Sequence, residues 1–165
     1  MRVWAHKGPQ RPTIGTKRVG FGCVAVVAAI HEGRVIGLTA CKMAVDRFVF
    51  LEFLQKALHE VKSRPLYILV DQAPLHKTEE VKVFCERKGI VLVFNAPYSS
   101  EYNAVERLWA IAKRNFRRKL LTTQLQQIKF AKAKELVEAS IREVRPGPLQ
   151  QHTRTCLERM RQFIN

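Results

Sequence analysis

The sequence predicts an α/β fold in which a mixed β-sheet is flanked by helices. Two apolar five-residue runs, 66–70 and 90–94, are typical of buried parallel strands, and a helical segment separates them. Because strand–helix–strand units cross over with a right hand, these two strands are predicted to be parallel neighbours. Upstream, strands over 19–31 and 34–43 are predicted to form an antiparallel hairpin around a short loop that contains Gly33.

Five helices are predicted from apolar residues that recur at helical spacing. They cover about 46–61, 76–88, 103–118, 128–144 and 149–163. Asp46 is placed as the N-cap of the first helix, and the segment 145–148, which contains two prolines, separates the last two. We expect residues 1–120 to form the core of one domain and 121–165 to form its helical extension.

Composition favours a folded protein with a polyanionic partner. The chain has 165 residues, 47% of them hydrophobic, and a formal net charge of +15 with a pI near 10.2. This imbalance predicts nucleic-acid binding, although a solvated basic surface is the alternative. The longest apolar run, 19–30, is too short to span a membrane. The four cysteines lack metal-ligand spacing and are expected to be reduced, mostly in the core of an intracellular protein.

Two acids stand out as candidate catalytic residues and metal ligands. Asp71 directly follows the apolar run 66–70, and Glu106 opens the helix that follows the run 90–94. Because each acid follows one of two neighbouring strands, their side chains are expected to converge at one edge of the sheet. The alternatives are a turn aspartate at 71 and a capping box in which Asn103 and Glu106 close the start of the helix.

Several residues near the acids are candidate supporting or nucleic-acid-binding groups. His76 either approaches Asp71 or caps the next helix, and Trp109 is expected to anchor its helix in the core rather than stack on a base. The helix that begins near Glu106 continues into a basic cluster formed by Lys113, Arg114, Arg117, Arg118 and Lys119. These side chains are predicted to contact phosphates, with a solvated helix face as the alternative.

Two motifs resemble those of the DDE transposases of the mariner superfamily and their bacterial insertion-sequence relatives. VDQAPLHKT (70–78) resembles the motif of the second aspartate, and APYSSEYNAVERLW (96–109) resembles the motif that holds the glutamate. The 34 residues between Asp71 and Glu106 also match the family's spacing. RVWAHKG (2–8) resembles the segment that follows the first catalytic strand.

The resemblance implies a ribonuclease-H-like fold that acts on DNA phosphodiesters. It implies two Mg²⁺ or Mn²⁺ ions held by three acids, with Asp71 as the second acid and Glu106 as the third. Asn103 and Trp109 match supporting positions of the motif.

The chain departs from the family pattern at the first acid. The first catalytic aspartate belongs on a strand before residues 2–8, and Asp46, the only other aspartate, follows the hairpin. The family's N-terminal DNA-reading region has no counterpart either. We therefore expect a truncated or decayed transposase domain, located with DNA inside the cell, that is weakly active or inactive alone. We expect it to pair with a second copy of itself, as a homodimer, or with a second chain that supplies the first strand. The alternative function is that of a non-enzymatic DNA- or RNA-binding protein.

Overall fold

A computed structural model describes residues 23–57, 59, 61, 65–122 and 128–162. Its strands and helices follow in the order β1 (Val24–His31), β2 (Arg34–Lys42), α1 (Arg47–Ala57), β3 (Leu66–Val70), α2 (Glu79–Lys88), β4 (Ile90–Phe94), α3 (Val105–Thr122), α4 (Phe130–Arg142) and α5 (Pro146–Arg161). Two short 3-10 turns, Pro74–Lys77 and Ser100–Tyr102, precede α2 and α3. The predicted succession of strands and helices is confirmed.

The hairpin forms as predicted. β1 and β2 are antiparallel, with a β-bulge at Ala29 and Ile30. The chain reverses through Glu32 and Gly33, which both have positive φ. Glycine is favoured there because the left-handed region is free of steric cost without a Cβ. The part of the predicted first strand before Cys23 lies outside the described residues.

The two apolar runs form the predicted parallel pair. β3 and β4 pair in register from Leu66 opposite Ile90 to Val70 opposite Phe94. Helix α2 connects them and ends at Gly89, which has φ 63° and donates its N–H to the last turn of the helix.

The described strands form two separate two-stranded sheets rather than the single mixed sheet that was predicted. One apolar cluster nevertheless contacts both pairs. Phe50, Phe53 and Leu54 of α1 are buried in it, and Val27 of β1 and Ile68 of β3 pack against it. Helix α1 therefore holds the two strand pairs against a common core.

A second apolar cluster covers the opposite face of the hairpin. Leu108 of α3, Ile141 of α4 and Leu149 of α5 are at most 1% exposed in it, and Val26 and Ile30 of β1 pack against them. Since successive strand residues point to opposite faces, the hairpin lies between α1 on one side and α3, α4 and α5 on the other.

The pair of β3 and β4 is covered on one face only by the described residues. Ile68 and Leu92 pack against the first cluster. On the other face Tyr67 is 65% exposed, and Val91 and Val93 are each 42% exposed. Among the described residues, the predicted burial of these strands therefore holds for one face only, because their apolar composition does not by itself bring a second layer over them.

The ends of all five helices differ from the prediction; α3 covers Val105–Thr122 instead of 103–118, and α4 covers Phe130–Arg142 instead of 128–144. Helix α1 ends at Ala57 instead of Val61, and a 3-10 turn occupies 74–77 before α2 begins. Helix α5 begins at Pro146 rather than at 149, because a proline suits the first turn of a helix, where no intrahelical N–H bond is required. Asp46 caps α1 as predicted, with its Oδ1 2.9 Å from the N–H of Val49.

The four cysteines are free thiols, as expected. Cys85 and Cys156 are buried, and burial raises the pKa of both thiols, whereas Cys23 is exposed. Thus the core location expected of most cysteines holds for two of them. Within the described residues, no helix is long and apolar enough to cross a membrane.

Candidate active site

Asp71 lies where β3 ends, and its two carboxylate oxygens have different surroundings. Oδ1 accepts the N–H of Ala73 at 2.9 Å and lies 3.2 Å from Nε2 of His76. Oδ2 has no hydrogen-bond partner among the described residues, and the side chain is 66% exposed. The protein therefore fixes the carboxylate through one oxygen and leaves the other open to solvent or a ligand.

His76 is the residue that fixes Asp71 from the 3-10 turn. Its side chain is only 12% exposed and its ring packs edge-on against Phe50, with the ring centroids 4.4 Å apart. Nδ1 is buried without a partner among the described residues, so the neutral ring with its hydrogen on Nε2 fits this environment. Burial lowers the pKa of His76 below its usual value of 6.5, and the nearby Asp71 opposes this shift without cancelling it.

A short hydrogen-bond chain links the ends of the two parallel strands. Gln72 donates its side-chain N–H to the carbonyl of Asn95 at 2.6 Å. Asn95 extends the strand pairing through its N–H, which lies 2.8 Å from the carbonyl of Val70, and its side chain donates to the carbonyl of Ser99 at 2.6 Å. The loop after β3 is thereby tied to the loop that leads to α3.

Glu106 lies in the first turn of α3 and is exposed. Its carboxylate forms no hydrogen bond or ion pair with any described residue. Asn103 instead caps the helix start through its Oδ1, which accepts the N–H of Val105 at 3.2 Å. Of the two bonds in the predicted capping box, the one from Asn103 to the start of the helix is therefore present, and the reciprocal bond from Glu106 does not form.

Asp71 and Glu106 are therefore both accessible, but no hydrogen bond or ion pair joins them. Within the described residues, no group of three histidine, cysteine, aspartate or glutamate side chains is arranged to hold a metal ion.

Trp109 lies one turn after Glu106 and is partly buried against the cluster that contains Leu108 and Ala112. This packing agrees with the interpretation of Trp109 as an anchor of α3.

The basic cluster extends along the exposed side of α3. Lys113, Arg114 and Arg117 are exposed and have no hydrogen-bond or ion-pair partner among the described residues. Lys119, in contrast, pairs with Glu143 at 2.5 Å, and Arg118 is exposed but has an interaction of its own.

Helical geometry aligns part of this cluster with the acid. Lys113 and Arg117 follow Glu106 by seven and eleven residues, so all three lie on one side of α3 over about 16 Å of its axis. The cations on that line are therefore Lys113 and Arg117, and Arg114 lies about 80° around the helix from it.

The sequence reasoning missed three residues at this edge: Gln72, Lys77 and Asn95. Lys77 lies over the ring of Phe94, with Nζ 5.7 Å from the ring centroid. Asn95 is buried directly after β4, which is the position that Asp71 holds after β3. A polar residue immediately after an apolar strand was therefore the available signal for Asn95, whereas nothing comparable marked Lys77.

Comparison with known proteins agrees with this architecture. The family model of the DDE superfamily endonucleases matches residues 1–129. No curated protein sequence matches the chain. Among solved structures, the catalytic domain of the Mos1 mariner transposase is similar with a TM-score of 0.62 and 17% sequence identity, over 82% of this chain and 70% of that one.

At this identity the structural likeness establishes the fold, which is ribonuclease-H-like, and the predicted fold class is confirmed. The family match covers more than three quarters of the sequence and includes both Asp71 and Glu106. The chain belongs to the DDE superfamily endonucleases and contains a transposase-type nuclease domain.

Proposed function

We propose that this chain acts on DNA phosphodiesters, with Asp71 and Glu106 as its metal-binding catalytic carboxylates. The observation that supports this proposal is the state of the two acids. Both are exposed, Glu106 has no partner among the described residues, and Asp71 is held through one oxygen while the other remains open. An exposed carboxylate that the protein holds through one oxygen can bind a metal ion through the other, which is what the proposal requires of Asp71.

The donor chemistry of the two acids suits Mg²⁺ or Mn²⁺. Mg²⁺ in phosphoryl-transfer sites is bound by one or two carboxylates together with substrate phosphates, and in this proposal Asp71 and Glu106 are those carboxylates. When bound, such ions activate the attacking oxygen and stabilise the charge that develops on the phosphate. The two-ion site of the family needs a third acid, which the described residues do not provide here.

The neighbouring residues have positioning roles in this proposal. His76 remains neutral and directs its Nε2–H to Oδ1 of Asp71, which orients Oδ2 outward. Asn103 fixes the first turn of α3 and thereby the backbone from which the side chain of Glu106 extends. Lys113, Arg114 and Arg117 contact phosphates beyond the scissile bond. Arg118 and Lys119 extend that surface.

With two acids rather than three, we expect cleavage by this chain alone to be weak or absent. Among the described residues, β1 and β3 each have one edge that pairs with no strand, and every residue of β1 from Val24 to Ile30 is only partly buried. An apolar strand with a free edge is a template for pairing with another strand. A second copy or a separate chain that pairs there would complete the sheet and bring a further carboxylate.

The test is a supercoiled-plasmid nicking assay in Mn²⁺ with the purified chain, Asp71→Ala and a matched variant, Asp46→Ala. Asp46 caps α1 and lies outside the proposed site, so its loss should leave any nicking in place. We expect nicking by the parent chain, if measurable, to disappear in Asp71→Ala while DNA affinity is retained. Nicking that persists in Asp71→Ala at the parental rate would contradict the assignment of the site.

A second candidate function is non-enzymatic binding of DNA or RNA. The observation that favours it is the row of unpaired cations on α3 together with the net charge of +15. The variant Arg114→Gln/Arg117→Gln/Arg118→Gln is expected to weaken DNA binding and reduce its salt dependence. Tight binding without nicking in Mn²⁺ would favour this function, whereas unchanged binding by the triple variant would exclude α3 as the contact surface.

A further inference from the structure

An arginine-lined groove lies at the far end of the hairpin, where the turn between β1 and β2 meets α5. A cavity of about 750 Å³ opens there, and its lining includes Arg34, Ile36, Gln150, Thr153, Arg154 and Leu157. A second cavity of about 420 Å³ continues along β2 toward Arg142. Arg34, Ile36 and Pro146 line both cavities, so the two form one groove along the outer edge of β2.

The walls of this groove are held together by a close backbone contact. A Cβ placed on Gly33 would lie 2.7 Å from the backbone nitrogen of Gln150, so α5 approaches the turn as closely as a glycine allows. The relative positions of Arg34 on β2 and Arg154 on α5 are therefore set by packed backbone rather than by a loose loop.

The groove has an excess of positive charge. Arg34 and Arg154 are exposed and have no hydrogen-bond or ion-pair partner among the described residues. Arg142 is 72% exposed and its pair with Glu138 is long, at 3.9 Å. Glu32 is the one acidic residue in the lining of the two cavities.

We propose that this groove is a second nucleic-acid-binding surface that holds a sugar–phosphate backbone apart from the candidate active site. Guanidinium groups bind phosphate oxygens in a bidentate manner, and the side chain of Gln150, which also lines the groove, adds a neutral hydrogen-bond donor. Neither Asp71 nor Glu106 lines the groove. The groove therefore lets one chain hold a segment of nucleic acid besides the one that α3 contacts.

Helix α5 provides a physical connection between the two surfaces. Residues between Pro146 and Leu157 line the groove, and Cys156 donates its thiol hydrogen to the carbonyl of Glu101 at 3.3 Å. Glu101 lies in the turn just before α3. A polynucleotide seated in the groove thus runs beside a helix that contacts the turn preceding α3, the helix that contains Glu106.

The test is the salt dependence of duplex binding by the full chain. Fluorescence anisotropy with a labelled 30-base-pair duplex would compare the parent, Arg34→Gln/Arg154→Gln and the charge-matched control Lys82→Gln/Arg87→Gln on α2. Because each phosphate contact contributes about 0.9 to the slope of log K against log salt, the groove variant should lower the slope by about two and weaken binding at least about tenfold at 0.1 M salt. The control should change the slope by less than about half a unit.

A variant that removes a negative charge, and should therefore strengthen binding, distinguishes a specific contact from loss of the fold. Glu32→Gln removes the acid of the groove and should tighten binding by about twofold to threefold, a result that unfolding cannot mimic. Circular dichroism melting of all variants completes the comparison.

Equal slopes for the groove variant and the parent would overturn the proposal. It would also be overturned if a poly-glutamate peptide bound to the parent and lost affinity in Arg34→Gln/Arg154→Gln, while the duplex did not bind. The proposal does not rest on catalysis, because the assay uses no Mn²⁺ and applies equally to Asp71→Ala.

Discussion

The two strand pairs of this molecule resemble each other in apolar composition but differ in how they are covered. The hairpin of β1 and β2 lies between α1 and the layer formed by α3, α4 and α5, whereas β3 and β4 have a helical layer on one face only among the described residues. The candidate catalytic acid Asp71 belongs to the less covered pair. The hairpin is therefore the better covered pair, and the candidate chemistry lies at the edge of the less covered pair.

The largest expected effect is the loss of a core side chain on the hairpin side. Leu108 is 0% exposed, so Leu108→Ala removes a fully buried side chain and should cost about 2–5 kcal/mol of unfolding free energy. Leu92→Ala makes the same change in the parallel pair, where the side chain is only partly buried, and should cost less than half as much. Urea unfolding measures both values, and equal losses would show that the two halves are equally well packed.

A second variant tests the contact between the hairpin turn and α5. Gly33→Ala places a Cβ 2.6 Å from the Cβ of Gln150 at a residue with φ of 77°, so steric overlap and backbone strain should together cost about 2–4 kcal/mol. Gly147→Ala is the matched control, because a Cβ there meets nothing within 4 Å and alanine favours the helix. Thermal melting should show a lower midpoint for the first variant and an equal or higher midpoint for the second; a stable Gly33→Ala protein would mean that α5 moves freely.

The third prediction concerns pH and the parallel half. Burial lowers the pKa of His76 in the folded protein, so the unfolded chain binds the proton more readily. The stability contributed by neutral His76 is complete above its usual pKa of 6.5 and decreases as the pH falls through that value toward the lower folded pKa.

His76→Gln should reduce the slope of the unfolding free energy against pH by up to the value that corresponds to about one bound proton. Urea unfolding between pH 7.5 and 5 measures this slope. His152→Gln serves as the control because it leaves the buried ring in place. An unchanged slope in His76→Gln would show that another group dominates stability in this range.

The smallest effect is expected on the bare face of β3 and β4. Val93 is 42% exposed, so Val93→Thr should change the unfolding free energy by less than about 0.5 kcal/mol while reducing self-association in light scattering. Val81→Thr, at a residue that is 0% exposed, is the matched change in the core and should cost several times more. A large loss in Val93→Thr would mean that this face is covered in solution.

The sequence predicted strand positions better than it predicted their surroundings. The bounds 66–70 and 90–94 were confirmed because Pro65 and Asp71 limit one apolar run and Gly89 limits the other. Burial on both faces was not predictable from the same runs, since it depends on which distant helices reach the sheet. Local apolar patterning carries no information about that long-range packing.

The candidate site was predictable in part, because local sequence patterns indicate contacts between neighbouring residues but not contacts between distant ones. Asp71 and His76 lie five residues apart, and the structure brings them into contact. The bond between Gln72 and Asn95 joins residues 23 positions apart, and its sequence signal was only a polar residue after a strand. The roles of Glu106 and the basic residues of α3 remain predictions, because their partners would be DNA and metal ions rather than protein groups.

The bond from Gln72 to Asn95 also has a mechanical consequence. It joins the loop that begins at Asp71 to the segment that leads through Ser99 to α3, so a displacement of one loop is transmitted to the other. Thermal fluctuations of the two loops should therefore be correlated, and the separation between Asp71 and Glu106 should vary less than the position of either residue in the molecule. A site that depends on two carboxylates from different elements benefits from this shared motion, because their mutual geometry persists while the edge of the sheet moves.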